Sequence, residues 1–105
     1  MRHITDSDFE AAVKDGITVI DFWASWCGPC VAFAPTFEAA SKKYKNISFG
    51  KYEVTDENKD YAAKFGIRSI PSVLAFKDGN LLDTKIGLMN EGTFQTWLEQ
   101  LTTNN

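Results

Sequence analysis

Cysteine is scarce in this chain: two of 105 residues, Cys27 and Cys30, and both lie in one short stretch. A scaffold stapled by several disulfides is therefore excluded. Histidine is scarcer, with His3 alone. Zinc wants four protein ligands, or three plus water, so two thiols and one distant imidazole make a poor zinc set. No segment is apolar for the ~20 residues that a membrane-spanning helix needs. Residues 1–6 lack the apolar run of a signal peptide. Basic runs are missing too, since 11 Lys and Arg stand against 14 Asp and Glu, for a net charge of −3. That balance lacks the electrostatic footprint of a nucleic-acid binder. Neither nucleic acid nor membrane is expected as a partner. Cysteines without an export signal point to the cytoplasm, where disulfides are usually transient and catalytic. Linkers, repeats and low-complexity segments are also absent, so 1–105 is expected to be one domain with one core. With 44% hydrophobic and 13% aromatic residues the chain has enough apolar surface to fold rather than stay disordered.

What is present centres on Trp26-Cys27-Gly28-Pro29-Cys30. Two thiols separated by two residues can interconvert between dithiol and disulfide. An apolar strand pattern precedes them, and a helical pattern over 31–44 follows. Strand, Cys-x-x-Cys, helix is a redox arrangement. The unpaired N–H groups and dipole of a helix N-terminus favour negative charge, so a thiolate is stabilised there. Cys27 is placed at that terminus, and Pro29 fits the first turn, where a missing N–H costs nothing. A purely structural disulfide is the plainer alternative, but so short a ring removes little chain entropy.

The other elements follow in order. Thr5-Asp6-Ser7-Asp8 reads as a helix start, with capping-box spacing from Ser7 to Glu10. Phe9, Ala12 and Val13 share a face, and Gly16 marks the stop. Residues 17–24 form a buried strand interrupted by Asp21, whose same-face neighbours are Val19 and Trp23. That carboxylate either turns to water or is buried with a raised pKa. Its proximity to the thiols favours a role in proton transfer. In the helix after Cys30, the inner face carries Cys30, Phe33, Ala34, Phe37, Ala40, Ser41 and Tyr44 at a 3.6-residue period. Val31, Pro35, Glu38 and Lys42 lie outside. Pro35 kinks this helix or divides it in two.

Residues 47–54 read as a strand in which Lys51 shares a face with Ile47 and Phe49. It either snorkels from the strand end or faces Asp21 across neighbouring strands. A short helix carries Tyr61, Ala62 and Phe65 and stops at Gly66. Pro71 precedes a strand over 72–76. Asp78-Gly79 signals a hairpin turn into a strand over 81–86. A last helix over 91–102 places Phe94, Trp97, Leu98 and Leu101 on one stripe. The tail 102–105 is expected to fray. The order is β-α-β-α-β-α-β-β-α, its leading strand assigned to no particular residues. This is an α/β chain with one mixed sheet and helices on both faces.

Three ordered motifs resemble the thioredoxin family over nearly the whole chain. They are the stretch 19–30, Ala34-Pro35, and Phe65-Gly66-Ile67-Arg68-Ser69-Ile70-Pro71-Ser72. The resemblance implies a thioredoxin fold, a central mixed five-stranded sheet flanked by four helices. It implies a cis bond between Ile70 and Pro71 and a thiol–disulfide oxidoreductase that reduces protein disulfides. Cys27 would be the attacking thiolate and Cys30 the buried resolving thiol. Asp21, with Lys51 nearby, would handle the proton at Cys30. Trp26, Gly28, Pro29, Ile70, Pro71, Gly87 and Leu88 would line the groove for substrate backbone. No bound cofactor is implied beyond the Cys27–Cys30 disulfide itself. The implied partners are disulfide-containing proteins and an NADPH-dependent thioredoxin reductase, with the chain acting as a monomer in electron transport and redox homeostasis. Two departures bear on partners. Val31 stands where the family often has a basic residue, and Leu88-Met89 adds apolar bulk beside the groove. Two rival readings remain open. One is a binding or chaperone subunit with idle thiols. The other is an oxidant that forms disulfides, against which Gly28-Pro29 and the missing export signal both argue.

Overall fold

The structure is a computed structural model that describes residues 1–103. Nine elements follow one another: β1 Arg2–His3, α1 Phe9–Val13, β2 Ile17–Trp23, α2 Gly28–Lys43, β3 Ser48–Glu53, α3 Asp60–Lys64, β4 Ser72–Lys77, β5 Asn80–Ile86 and α4 Glu91–Thr103. The strands form one sheet in the order β1-β3-β2-β4-β5. β3 runs parallel to both β1 and β2, whereas β4 is antiparallel to β2 and to β5.

β2 lies at the centre of the sheet and is covered on both faces, which explains its nearly continuous apolar sequence. Val19 joins Phe33, Phe37, Phe94, Trp97 and Leu98 under α2 and α4. Ile20 and Phe22 join Phe9, Val13, Tyr52 and Ala62 under α1 and α3. The two-residue period of a strand therefore sends Asp21 to the α2 side. The α4 stripe is buried as its period predicts, and Thr102 and Thr103 belong to that helix rather than to a frayed end. The rest of the expected tail, Asn104-Asn105, lies outside the described residues.

α2 is continuous through Pro35, so the two-helix alternative fails. Pro35 is exposed, and its ring meets solvent rather than the core. Asp78 and Gly79 have φ of 50° and 89°, as the two-residue turn of this hairpin requires. Their amides reach back to the end of α1, with Asp78 N–H donating to Gly16 O at 3.0 Å and Gly79 N–H to Val13 O at 2.9 Å.

The N-terminal segment departs from expectation. The leading strand is the two-residue pair Arg2–His3, too short for a periodic signal. No capping box forms between Ser7 and Glu10. Asp8 takes the N-cap without a side-chain cap bond, and its carboxylate instead accepts Thr5 N–H at 2.7 Å. Asp6 caps a different helix. Its carboxylate accepts the N–H groups of Lys59 at 3.1 Å, Asp60 at 3.1 Å and Tyr61 at 3.2 Å, together with the Tyr52 hydroxyl. These amides are the orphan donors at the start of α3. Burial alone pushes the Asp6 carboxyl up, but the Tyr52 hydroxyl and the three amides outweigh it and hold the group below its ordinary value.

Asp6→Ala is therefore expected to destabilise the fold by about 1–2 kcal/mol, the usual loss for a helix cap with a further hydrogen bond. A lowered native pKa contributes stability above the unfolded value, and that stability is lost as pH falls. The deficit, read from denaturant midpoints, should be full at neutral pH and shrink in acid below the ordinary carboxylate range. An unchanged midpoint at pH 7 would remove Asp6 from the list of stabilising caps.

Candidate active site

The sheet delivers the thiols to a helix end. After Trp23 the chain leaves β2, and Cys27 N–H closes a turn onto Ala24 O at 3.1 Å. Cys27 then serves as N-cap of α2 in an extended conformation, with Pro29 in the first turn. Its sulfur accepts the Cys30 backbone N–H at 3.3 Å, one of the donors a helix start leaves unpaired. The Cys27 thiol in turn donates to Ile70 O at 3.7 Å. Both cysteines are free thiols. Cys27 keeps 7% of its surface open and Cys30 only 1%, so the first sulfur is the more approachable. Burial pushes the Cys30 thiol up to about 12. Its hydrogen bond with Cys27 and the negative charges of Cys27 and Asp21 push the same way, while an Ala24 backbone bond opposes them.

Asp21 is fully buried. Among the described residues neither carboxylate oxygen has a hydrogen-bond partner. Burial raises its carboxyl to about 7, against a downward pull from Lys51. Lys51 is the register partner of Asp21 on β3. Its ammonium nonetheless sits over the Trp23 ring at 4.2 Å from the centroid and makes no ion pair with Asp21 among the described residues. Lys51 thus stands opposite Asp21 across the strands, as one sequence reading had it, while its head group rests on an aromatic face instead of snorkelling from a strand end. Nothing in the sequence marks Trp23 beyond its strand position. Its same-face spacing from Asp21 is the one signal that could have drawn attention to it.

The facing loop carries the cis Ile70-Pro71 bond that the resemblance implied. Pro71 O accepts Gly87 N–H at 2.8 Å, and Gly87 has a φ of 94° that favours glycine. This bond ties the start of the Leu88 segment to the thiol-facing loop. Ile70 packs with Ala24, Cys27, Cys30 and Trp23. Around these groups Trp26, Gly28, Pro29 and Leu88 are exposed, Ile70 and Gly87 are half-buried, and Pro71 is buried. Met89 must be corrected. It adds no bulk to the groove, because it turns inward to the α2–α4 core with 8% of its surface open. Val31, by contrast, is 55% exposed.

Among the described residues no group of three or more His, Cys, Asp or Glu is arranged to hold a metal. No helix among them is long and apolar enough to cross a membrane.

Comparison with known proteins agrees with this geometry. The thioredoxin family model matches residues 1–100. A thioredoxin of Pseudomonas aeruginosa is 38% identical over 103 residues, covering 92% of each chain. One from Rickettsia felis is 39% identical over 105 residues, covering 94% of this chain and 96% of its own. A thioredoxin of Staphylococcus aureus is 41% identical over 88 residues, covering 80% of this chain and 81% of its own. A match running through both halves of the sheet, with relatives of nearly equal length, means that the chain belongs to the thioredoxin family of protein-disulfide oxidoreductases.

Proposed function

We propose that the chain works as a reductant of protein disulfides, with Cys27 attacking and Cys30 resolving. The observation that carries this reading is the asymmetry of the two sulfurs. Cys27 sits at the head of α2 and accepts the Cys30 amide hydrogen, whereas Cys30 is sealed inside with its thiol raised to about 12.

The Cys27 thiolate attacks one sulfur of a substrate disulfide. A mixed disulfide forms, the substrate S–S bond breaks, and the departing substrate thiolate takes up a proton. Cys30 then gives its proton to a base and attacks Cys27 Sγ. The Cys27–Cys30 disulfide forms and the second substrate thiolate is released. Two electrons pass from dithiol to substrate, and the two sulfurs hold the redox equivalents without a bound cofactor. A thiol raised to about 12 needs a base close by. Asp21 suits the task, since its carboxyl lies near 7 and its charge is felt at Cys30. Lys51 tunes that carboxyl by pulling it down. Trp26, Gly28, Pro29, Ile70, Pro71, Gly87 and Leu88 receive the substrate backbone. The chain acts as one domain and as a monomer in the cytoplasm. It carries electrons from an NADPH-dependent thioredoxin reductase to its disulfide substrates.

Limiting alkylating reagent at neutral pH is expected to modify Cys27 of the reduced protein almost alone, as read by peptide mapping. Preferential labelling of Cys30 would reverse the two roles. Equilibration with glutathione tests the direction of electron flow. A reductant comes to rest oxidised at glutathione ratios that leave a disulfide-forming oxidant reduced. Full cellular function after loss of both thiols would favour the idle-thiol binding module instead.

A further inference from the structure

A recess of about 460 Å³ opens beside Trp26. Its wall carries Glu53, Asp56 and Glu57 against a single cation, Lys59. Among the described residues none of the three carboxylates has an ion-pair or hydrogen-bond partner. Asn58 Nδ2–H reaches the backbone oxygen of Glu53 at 2.9 Å rather than its side chain. The one ion pair among the described residues, Lys42 with Glu38, lies on α2. Trp26 is 79% exposed, and among the described residues its ring has neither an aromatic nor a cationic neighbour. An open indole face attracts a cation through its quadrupole, and carboxylates pair with one through charge-assisted hydrogen bonds. The two features adjoin at the residue that precedes Cys27. Val31 and Leu88, both exposed, are uncharged.

We propose that the redox site selects cystine-containing polypeptides bearing a lysine or arginine beside the attacked disulfide, seated between Trp26 and the wall of Glu53, Asp56 and Glu57. The inference rests on the disulfide-reductase reading above and names its substrate class. Acidic flanks are repelled by the same wall, so selection is by charge and acts on encounter. Asp56, Glu57 and Lys59 are exposed, and salt therefore weakens the effect.

Three peptide disulfides, identical except for Lys, Ser or Glu beside one half-cystine, are mixed with reduced protein, and tryptophan fluorescence follows its oxidation. Each second-order rate constant is divided by that of dithiothreitol with the same peptide, which removes intrinsic reactivity. The normalised Lys-to-Glu ratio is expected to be about 10 at low ionic strength and to fall toward 1 in high salt. An Asp56→Asn/Glu57→Gln double variant should lower it about 3-fold, and Lys59→Glu should raise it. A ratio near 1 at low salt overturns the proposal, as does a ratio that neither variant moves. Failure to reduce any peptide, the serine one included, would overturn the reductase reading itself.

Discussion

Cys30→Ser is expected to halt the reaction after its first bond-forming step. The substituted chain retains the Cys27 sulfur at the head of α2, so it still attacks a substrate disulfide. It has no thiol to resolve the adduct, because the wild-type sequence holds no third cysteine. The serine hydroxyl cannot replace it, since a sulfur–oxygen linkage does not form by thiol–disulfide exchange. The one escape is back-attack by the departed substrate thiol. Alkylating or diluting that thiol should let the mixed disulfide accumulate. Mass spectrometry should then find a 1:1 covalent adduct at Cys27 that dithiothreitol cleaves. Multiple-turnover reduction should fall roughly 100-fold or more, the scale of losing a member of a catalytic unit. Full turnover by this variant would falsify the two-cysteine mechanism.

Asp21→Asn is expected to make the protein more stable above neutral pH and slower as a reductant. The two effects share one cause. Asp21 is fully buried, and among the described residues neither of its oxygens has a hydrogen-bond partner. Burial raises its carboxyl from 3.8 to about 7, with Lys51 only partly opposing. Between those values the unfolded chain has released a proton that the native state still holds. Stability therefore falls as pH rises through that window and levels off above it. One pKa unit corresponds to about 1.4 kcal/mol. Asparagine removes that penalty but buries unpaired amide hydrogens of its own. The net gain at pH 8 should be on the order of 1–3 kcal/mol.

The pH slope is the cleaner readout. Denaturant midpoints of the wild type should decline from pH 4 to pH 8, and those of Asp21→Asn should lack that component. Substrate reduction should slow about 10- to 100-fold, as for loss of a general base. Its rate profile should also lose the rise that follows Asp21 ionisation. Equal slopes, or equal rates across pH 5–9, would return Asp21 to an inert buried carboxyl.

The elements were legible in the sequence because their causes are local. A nearly continuous apolar run marked β2, and a 3.6-residue period marked α2 and α4. Asp78-Gly79 specified its hairpin through backbone φ values that few other pairs tolerate. The placement of Cys27 at a helix start also needed only the residues around it. β1 escaped because two residues carry no period. The capping box at Ser7 and Glu10 was misread because spacing alone does not say which amides a side chain will find. The Asp6 carboxylate found those at the start of α3, more than 50 residues away in sequence.

By itself, then, the sequence determined the α/β class, the order of elements, the dithiol at the head of a helix, and the side of β2 on which Asp21 lies. Each depends on near neighbours in the chain. Only the tertiary structure decided what covers those positions. It buried Asp21 with no hydrogen-bond partner among the described residues, laid the Lys51 ammonium on Trp23, turned Met89 into the core and left Leu88 outside. It also gathered Glu53, Asp56 and Glu57 beside Trp26. Solvent exposure and the identity of a polar partner arise from contacts between distant segments. Period and propensity are silent about them.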